Sequence, residues 1–144
     1  MKQFEATAAV AAPPDSVWAV LLDGAGYPTW DSGVERIDGT IESGSKITVH
    51  SEAAPGRAFP VKVAIDTAAG TMTWTGGMPL GLFRGVRTFE VIASASGGTD
   101  FSMREVFSGP LLGLIGRSIP DLGPSFRQFA AGLAVQAEAT ATAG

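Results

Sequence analysis

Short connections between strand-like segments constrain this chain more than any other feature. Six segments rich in apolar and β-branched residues follow one another, at 34–39, 46–53, 58–67, 71–76, 82–93 and 99–108. Runs of Gly, Pro and Ser mark turns between them. A parallel crossover needs about a dozen residues, and none of these connections is that long. The sequence therefore predicts six strands in an antiparallel meander.

The residues before the meander predict one more strand and two short helices. Apolar side chains alternate weakly over residues 4–10, which favours a strand. The Pro13-Pro14 pair then favours the start of a helix, which is expected to end at Gly24. The segment 27–33 predicts a second helix of a single turn, because its proline and glycine leave no room for a longer one.

An apolar stripe near the carboxyl end predicts a long amphipathic helix. Its members recur at spacings of four, three and four residues: Leu122, Phe126, Phe129 and Leu133. We expect this helix to run from about residue 121 to 138, and the tail ATATAG after it to be frayed. All four side chains should face the sheet, with the two phenylalanines near any space left beneath the helix.

Together these elements predict an α+β fold. A strongly curved, seven-stranded antiparallel sheet wrapped around the long C-terminal helix, with two short helices after the first strand, satisfies the burial patterns. A strongly curved sheet cannot contact a straight helix along its whole length, so we expect an internal cavity. No repeat, linker or low-complexity tract divides the chain, and a single domain is therefore expected over residues 1–144.

The amino-acid composition excludes some classes of function and argues against others. The chain has no cysteine, which excludes disulfides, zinc thiolates and cysteine nucleophiles. Its single histidine, His50, lies in a predicted strand, where we expect it to face solvent or to be hydrogen-bonded. Ten basic residues stand against 14 acidic ones, and no two basic residues are adjacent. This balance argues against a nucleic-acid partner and against anchoring on an anionic membrane by charge alone. No metal or cofactor site is predicted.

No stretch of the sequence is long and apolar enough to cross a membrane as a helix. The longest uncharged stretch, 67–83, contains four glycines and a proline and falls short of the roughly 20 apolar residues required. The N-terminal residues lack the leucine-rich core of a signal peptide. We therefore expect a cytoplasmic protein without an integral membrane segment.

Several motifs occur in an order that resembles a known family. The string VAAPPDSVWAVLLDGAGYPTWDSGVERIDG (10–39) combines a proline-containing helix start, a Val-Trp pair and a Tyr-Pro-x-Trp segment. It is followed by MTWTG (72–76), a Gly-x-Arg-x-Phe pattern at 85–89 and GGTDFSMREVFSG (97–109). In order and spacing these motifs resemble the START-related helix-grip superfamily, in its polyketide cyclase/dehydrase-like, ligand-binding SRPBCC branch.

The resemblance implies a helix-grip fold whose cavity holds a small hydrophobic ligand, which is lipid-, polyketide- or aromatic-like. A binding or carrier protein is the leading expectation. Two alternatives stay open: an aromatase/cyclase-like enzyme without metal or nucleotide cofactor, in which Arg87, Glu105 or Tyr27 moves protons, and a protein-interaction module of the chaperone-activator kind. Arg87 and Asp31 stand where members often have His and Asn, so no relative's ligand carries over. A homodimer is also left open.

Two charged residues are predicted to meet inside the cavity. The segments 82–93 and 99–108 flank a turn near Ser96 and should form a hairpin whose more apolar faces point inward. That register sets Arg87 directly opposite Glu105 or diagonal to it. The two side chains then either form a structural ion pair or present a polar group to a ligand. The candidate ligand-binding residues are Trp30, which either lines the cavity or closes one end of it, Trp74, Arg87, Phe89, Met103, Glu105, Phe107, Phe126 and Phe129.

Two apolar loops carry similar Pro-Leu-Gly-Leu strings, GMPLGLF (77–83) and GPLLGLIGRSIP (109–120). The helix-grip arrangement brings both to the same end of the sheet. Their leucines and isoleucine either pack down on the core or form a hydrophobic rim that closes over an entering ligand or touches a membrane or a partner.

Overall fold

In the computed structural model, which describes residues 2–143, seven strands form one curved antiparallel sheet. They are β1 (Lys2–Val10), β2 (Val34–Asp38), β3 (Lys46–Ser51), β4 (Phe59–Asp66), β5 (Thr71–Gly77), β6 (Arg84–Ala93) and β7 (Thr99–Ser108). The order across the sheet is β1-β7-β6-β5-β4-β3-β2. Strands β2 to β7 are thus a meander, and β1 pairs beside β7. The predicted antiparallel sheet is confirmed.

Three α-helices and three 3-10 turns connect or cover the strands. They are α1 (Pro14–Leu21), the 3-10 helix Gly24–Thr29, the 3-10 turn Pro79–Gly81, α2 (Leu112–Ile115), the 3-10 turn Gly116–Ser118 and α3 (Gly123–Ala143). Two short helices follow the first strand as predicted, but the second spans Gly24–Thr29 rather than 27–33, because Asp23 caps it and Pro28 is accommodated inside it. Within residues 2–143, no helix combines the length and the apolarity that a membrane crossing requires.

Helix α3 buries its apolar stripe against the concave face of the sheet. Phe126, Phe129 and Leu133 are buried, and Leu122 is half-buried just before the first turn. Burial of such side chains is worth roughly 1.5–3 kcal/mol each. The stripe therefore contributes strongly to the contact between helix and sheet.

The helix also passes very close to the segment before β2. A Cβ atom on Gly132 would collide with the backbone carbonyl of Asp31. One turn earlier, the Gln128 amide Nε2 donates to Asp31 Oδ1 over 2.7 Å. Only a residue without a side chain lets the backbones approach this far.

The end of α3 differs from the prediction of a frayed tail. The helix continues through Ala143, and the last residue, Gly144, lies outside the described residues. The Glu138 carboxylate accepts a hydrogen bond from the backbone N–H of Ala11 over 2.9 Å, which ties this part of the helix to the loop after β1. The hydroxyls of Thr140 and Thr142 donate to backbone carbonyls within the helix.

Some strand ends also differ from the predicted bounds. The segment predicted to begin at 82 becomes strand only at Arg84, because the Leu82 N–H donates to the carbonyl of Pro79 and so closes a turn. Likewise β3 ends at Ser51, since Glu52 and the residues after it form turns. The hairpin strand Thr99–Ser108 has the predicted bounds.

Candidate ligand cavity

A cavity of about 400 Å³ lies between the first turns of α3 and the concave face of the sheet. Its walls come from β2 to β7, from the loop between β3 and β4, and from the segment before α3. Most of its lining side chains are apolar: Val34, Val49, Val61, Trp74, Phe83, Met103, Phe107, Ile115, Ile119, Leu122, Phe126 and Phe129. The cavity that the sequence predicts is therefore present, and it suits apolar molecules.

Glycines help to keep this space open. Gly76 on β5 and Gly85 on β6 are paired opposite each other and both line the cavity. At this position both strands present only backbone to the cavity, and no side chain occupies the space. The sequence analysis missed their role, although a glycine inside a strand is a known sign of a close approach or a bound ligand.

Arg87 and Glu105 form an ion pair in the cavity wall. They are direct partners in the β6–β7 register, and Arg87 Nε lies 2.8 Å from Glu105 Oε1. Their side chains are only 20% and 13% exposed. The predicted opposition of the two residues is confirmed, and the strong cost of burying one charge alone explains why they occur together.

Two aromatic rings lie close to the Arg87 guanidinium. Its central carbon lies 4.8 Å from the ring centre of Phe126 and 5.9 Å from that of Trp74. Nε is engaged by Glu105, whereas Nη1 and Nη2 make no hydrogen bond to any described residue. These two nitrogens are the donors that can bind a carboxylate or carbonyl in parallel.

Two further polar features belong to the wall. The indole N–H of Trp74 is buried and has no hydrogen-bond partner among the described residues. Arg57, in the loop between β3 and β4, is exposed and lines the opening. With Arg87 compensated by Glu105, Arg57 leaves the described lining with one positive charge in excess.

Seven of the nine candidate residues line the cavity, and two do not. Phe89 lies on the inward face as predicted, but it is fully buried beneath Phe129, with ring centres 5.8 Å apart. Trp30 packs against the rings of Tyr27 and Phe129 at 5.5 and 5.2 Å. In both cases an aromatic ring fills the space between the side chain and the cavity.

Tyr27 is a core residue. It is fully buried, and its hydroxyl donates to the Leu21 carbonyl over 2.7 Å. Burial raises the pKa of Tyr27 far above its usual value, and the charge of Arg87 opposes this only in part. Tyr27 is not in the cavity lining, so the geometry gives it no access to a ligand's protons.

His50 faces away from the cavity. Its Nε2 lies 2.9 Å from Asp38 Oδ2 and 3.1 Å from Arg36 Nη2 on the neighbouring strand. The hydrogen bond to His50 is the largest cause that lowers the pKa of Asp38, followed by the one from Arg36. The expected hydrogen-bonded strand histidine is confirmed.

The two mouth loops, 77–83 and 109–120, meet at one end of the cavity. The Leu111 N–H donates to the Leu82 carbonyl over 2.9 Å and so joins them. Ile115 and Ile119 face the cavity, whereas Leu114 is exposed to solvent. None of Leu111, Leu112, Leu114 and Ile115 belongs to the buried core, so packing down on the core does not describe this loop, and a rim that closes over a ligand or touches a membrane or partner stays a prediction.

Solved structures share this fold at low sequence identity. TTHA0849 from Thermus thermophilus superposes with a TM-score of 0.71 at 18% identity, covering 96% of this chain and 98% of that one. The Zhui aromatase/cyclase from Streptomyces sp. R1128 gives 0.70 at 17% identity, covering 95% and 93%. Ara h 8.0201 gives 0.62 at 22% identity, covering 99% of both chains. At these identities the likeness shows the fold alone, which is the predicted helix-grip fold.

The sequence itself gives the family. No curated protein is similar enough to the chain to count as a match. The family model described as "Polyketide cyclase / dehydrase and lipid transport", however, matches residues 1–138. Because that match spans nearly the whole chain, and the sheet and helix have the arrangement that the resemblance implies, the chain belongs to the polyketide cyclase/dehydrase and lipid-transport family.

Proposed function

We propose that this protein binds and carries a small hydrophobic molecule that has one anionic group. The observation that supports the proposal most directly is the position of Arg87. Its Nη1 and Nη2 donors make no hydrogen bond to the described residues, and the side chain lies in the wall of a mainly apolar cavity. A ligand's carboxylate would use both nitrogens, while its apolar body would lie against the aromatic lining.

The size of the cavity suits such a ligand. Small-molecule sites commonly enclose about 300–1,000 Å³, and this cavity has about 400 Å³. Each 100 Å² of ligand surface removed from water would contribute about 2.5 kcal/mol before the costs of association. Apolar burial would thus supply most of the affinity, and Arg87 would supply orientation and selectivity.

The charge of the lining favours an anion over a neutral or cationic head group. Glu105 balances Arg87, so the ion pair itself adds no net charge to the lining. Arg57 adds a second positive charge at the opening. A cationic ligand would meet this charge without a free acidic partner among the described lining residues.

A bound molecule can be sought directly by native mass spectrometry of the purified protein, followed by denaturing extraction. We expect an adduct that dissociates on denaturation and ionises in negative mode. Arg87→Met should carry much less of it than wild type. Equal occupancy of wild type and variant would contradict the proposed role of Arg87.

A matched pair of fluorescent probes tests the anionic group itself. Anilinonaphthalene sulfonate is an anion, and N-phenylnaphthylamine is nearly the same aromatic body without the charge. We expect Arg87→Met to weaken sulfonate binding by about tenfold or more, the value of a charged hydrogen bond, and to leave the neutral probe nearly unaffected. Fluorescence titration measures both.

Two further variants serve as controls. Arg104→Met removes the same charge from the exposed face of β7 and should change neither titration. The double variant Arg87→Met/Glu105→Gln removes both charges, so an unpaired Glu105 cannot be responsible for a loss of stability. If the double variant folds and binds the sulfonate as wild type does, the proposal is wrong.

The cavity also bears on the alternatives drawn from the sequence. An aromatase/cyclase needs a group in the lining that gains and loses protons, and among the described lining residues Glu105 is the one carboxyl. It is already bound by Arg87, and the Tyr27 hydroxyl is bound by the Leu21 carbonyl. An interaction module has no need of an internal cavity. Binding and carriage therefore have the stronger support.

A further inference from the structure

Exposed apolar side chains gather at one end of the molecule, around the mouth of the cavity. Five of the seven exposed large hydrophobic residues of the described chain lie there: Phe59, Met78, Leu80, Leu82 and Leu114. They come from the start of β4 and from the two mouth loops. The same loops carry exposed apolar groups and border the opening, so the end through which a ligand would pass is itself apolar.

Leu80 is the most exposed of these residues. It is 96% exposed, and its φ of +62° lies in the left-handed region, which is unfavourable for leucine. Positive φ angles at Gly77 and Gly81 shape the turn around it, and the Met78 N–H donates to the Phe83 carbonyl over 2.8 Å. A closed turn therefore holds this leucine outward at a cost in backbone strain. Such a strained position points to a contact outside the chain.

Basic residues flank the two mouth loops. Lys2 Nζ donates to the carbonyl of Gly116, Arg84 directly follows the first loop, and Arg117 lies within the second. Neither loop contains an acidic residue. The first acidic residue after them, Asp121, accepts a hydrogen bond from the Gly123 N–H.

The opposite end of the sheet carries much of the chain's negative charge. Acidic residues stand at or beside the strand ends and turns there: Asp15, Asp38, Glu42, Asp66 and Asp100. In the third loop at this end, between β3 and β4, Arg57 and Glu52 offset each other, so Lys2, Arg84 and Arg117 still make the cavity mouth basic as well as apolar, although the chain as a whole is acidic. The charge balance argues against anchoring on an anionic membrane by charge alone, whereas this end combines basic residues with exposed apolar side chains.

We propose that the mouth loops dock the protein onto the surface of an anionic lipid bilayer. Leu80 and Leu114 enter the boundary between head groups and acyl chains, and Arg84, Arg117 and Lys2 contact the anionic head groups. Docking this end brings the opening of the cavity against the membrane. The side chains that contact the membrane, Leu80, Leu114, Arg84, Arg117 and Lys2, do not line the cavity, and docking does not depend on the ligand's charge.

Sedimentation with sucrose-loaded vesicles tests the proposal. Wild type should bind vesicles that contain phosphatidylserine, bind pure phosphatidylcholine vesicles much more weakly, and lose binding as salt rises. Leu80→Asn/Leu114→Asn should lower binding by about tenfold or more, because the apolar contact is lost. Asparagine tolerates the left-handed region, so this variant should fold. Arg84→Gln/Arg117→Gln should remove the preference for phosphatidylserine.

The controls separate this surface from other occupants and from the cavity. Val135→Asn changes an exposed apolar residue on α3 and should bind vesicles as wild type does. Anilinonaphthalene sulfonate titrations without vesicles should be unchanged in the leucine variant, since neither leucine lines the cavity. Failure of wild type to bind phosphatidylserine vesicles would overturn the proposal. So would a dimer in solution that Leu80→Asn/Leu114→Asn abolishes, because the surface would then belong to a second copy of the chain.

Discussion

Arg87 is fixed by its neighbours within the folded chain. Glu105 binds its Nε, and the rings of Phe126 and Trp74 flank the guanidinium. Ordering an arginine side chain costs about 2 kcal/mol of conformational entropy. Because these contacts already order Arg87 in the folded protein, much of that cost is met on folding. A ligand that binds Nη1 and Nη2 therefore meets a preorganised pair of donors and bears less of that cost.

Gly132 is a second residue whose identity follows from its surroundings. Replacing a glycine in the middle of a helix by alanine normally stabilises the helix by about 1 kcal/mol, but Gly132 is buried. Here the added Cβ would strike the backbone carbonyl of Asp31, which cannot turn aside as a side chain would. We expect Gly132→Ala to lower the free energy of unfolding by about 1–3 kcal/mol, measured by urea denaturation.

Gly113→Ala is the matched control for that substitution. A Cβ on Gly113 would meet no atom within 4 Å, and its backbone lies in the short helix α2. The free energy of unfolding should stay the same or rise slightly. A Gly132→Ala protein at least as stable as wild type would show that α3 moves away from the Asp31 segment at no cost.

At the level of elements, α3 has two different packing environments along one apolar stripe. Phe126 borders the cavity, whereas Leu133, two turns later, is fully buried in the filled part of the core. Removing a side chain costs most where the space left cannot collapse or join existing space. The two ends of the stripe should therefore respond differently to truncation.

We expect Leu133→Ala to cost about 3–5 kcal/mol and Phe126→Ala to cost less, although the phenylalanine is larger. Chemical denaturation of both variants gives the comparison. The probe titrations provide a second readout, since Phe126→Ala enlarges the cavity and Leu133→Ala leaves its wall intact. A larger loss for Phe126→Ala would mean that the first turns of α3 are packed as tightly as its centre.

The elements were largely predictable because their signals are local. Turn residues separate the strands, and the Thr99–Ser108 hairpin strand and the Arg87–Glu105 register follow from one turn and an alternating pattern. The strand start at Arg84 and the helical tail of α3 depend on a turn hydrogen bond and on the contact of Glu138 with Ala11. Such contacts join parts of the chain that no local pattern relates.

The sequence could predict which face of the sheet borders the cavity, but not how far the cavity extends along the strands. Alternation correctly places Phe89 and Arg87 on the inward side, yet it cannot show where α3 fills the space above the sheet. That point lies between the two residues, so Arg87 lines the cavity and Phe89 does not. Trp30 was ambiguous for the same reason, since its position depends on how Tyr27 and Phe129 pack around it.

On the scale of the whole molecule, the two mouth loops join the cavity to the outer surface. Their hydrogen bond between Leu111 and Leu82 links them, and Ile115 and Ile119 face inward while Leu80 and Leu114 face outward. Loops with few buried side chains are the parts of a fold that open most readily.

Hydrogen exchange tests whether these loops act as a gate. Amides of residues 77–83 and 109–120 should exchange rapidly in the free protein and more slowly with anilinonaphthalene sulfonate bound, because a ligand would pack against Ile115 and Phe83. Amides of β6 and β7 should be protected in both states. Equal and strong protection of both loops with and without the probe would contradict a gate.

Gly85 is a position where we expect a substitution to change which ligand fits without changing the fold. Its backbone is ordinary strand, so any residue can adopt it, and the one tight contact of an added Cβ would be with the ring of Phe107, at 3.0 Å. Gly76, its partner across the sheet, would instead strike the backbone carbonyl of Pro60. We expect side chains of increasing size at position 85 to displace the Phe107 ring and reduce the cavity volume while the sheet keeps its register. We therefore expect the size of the ligand that fits to depend on this one position.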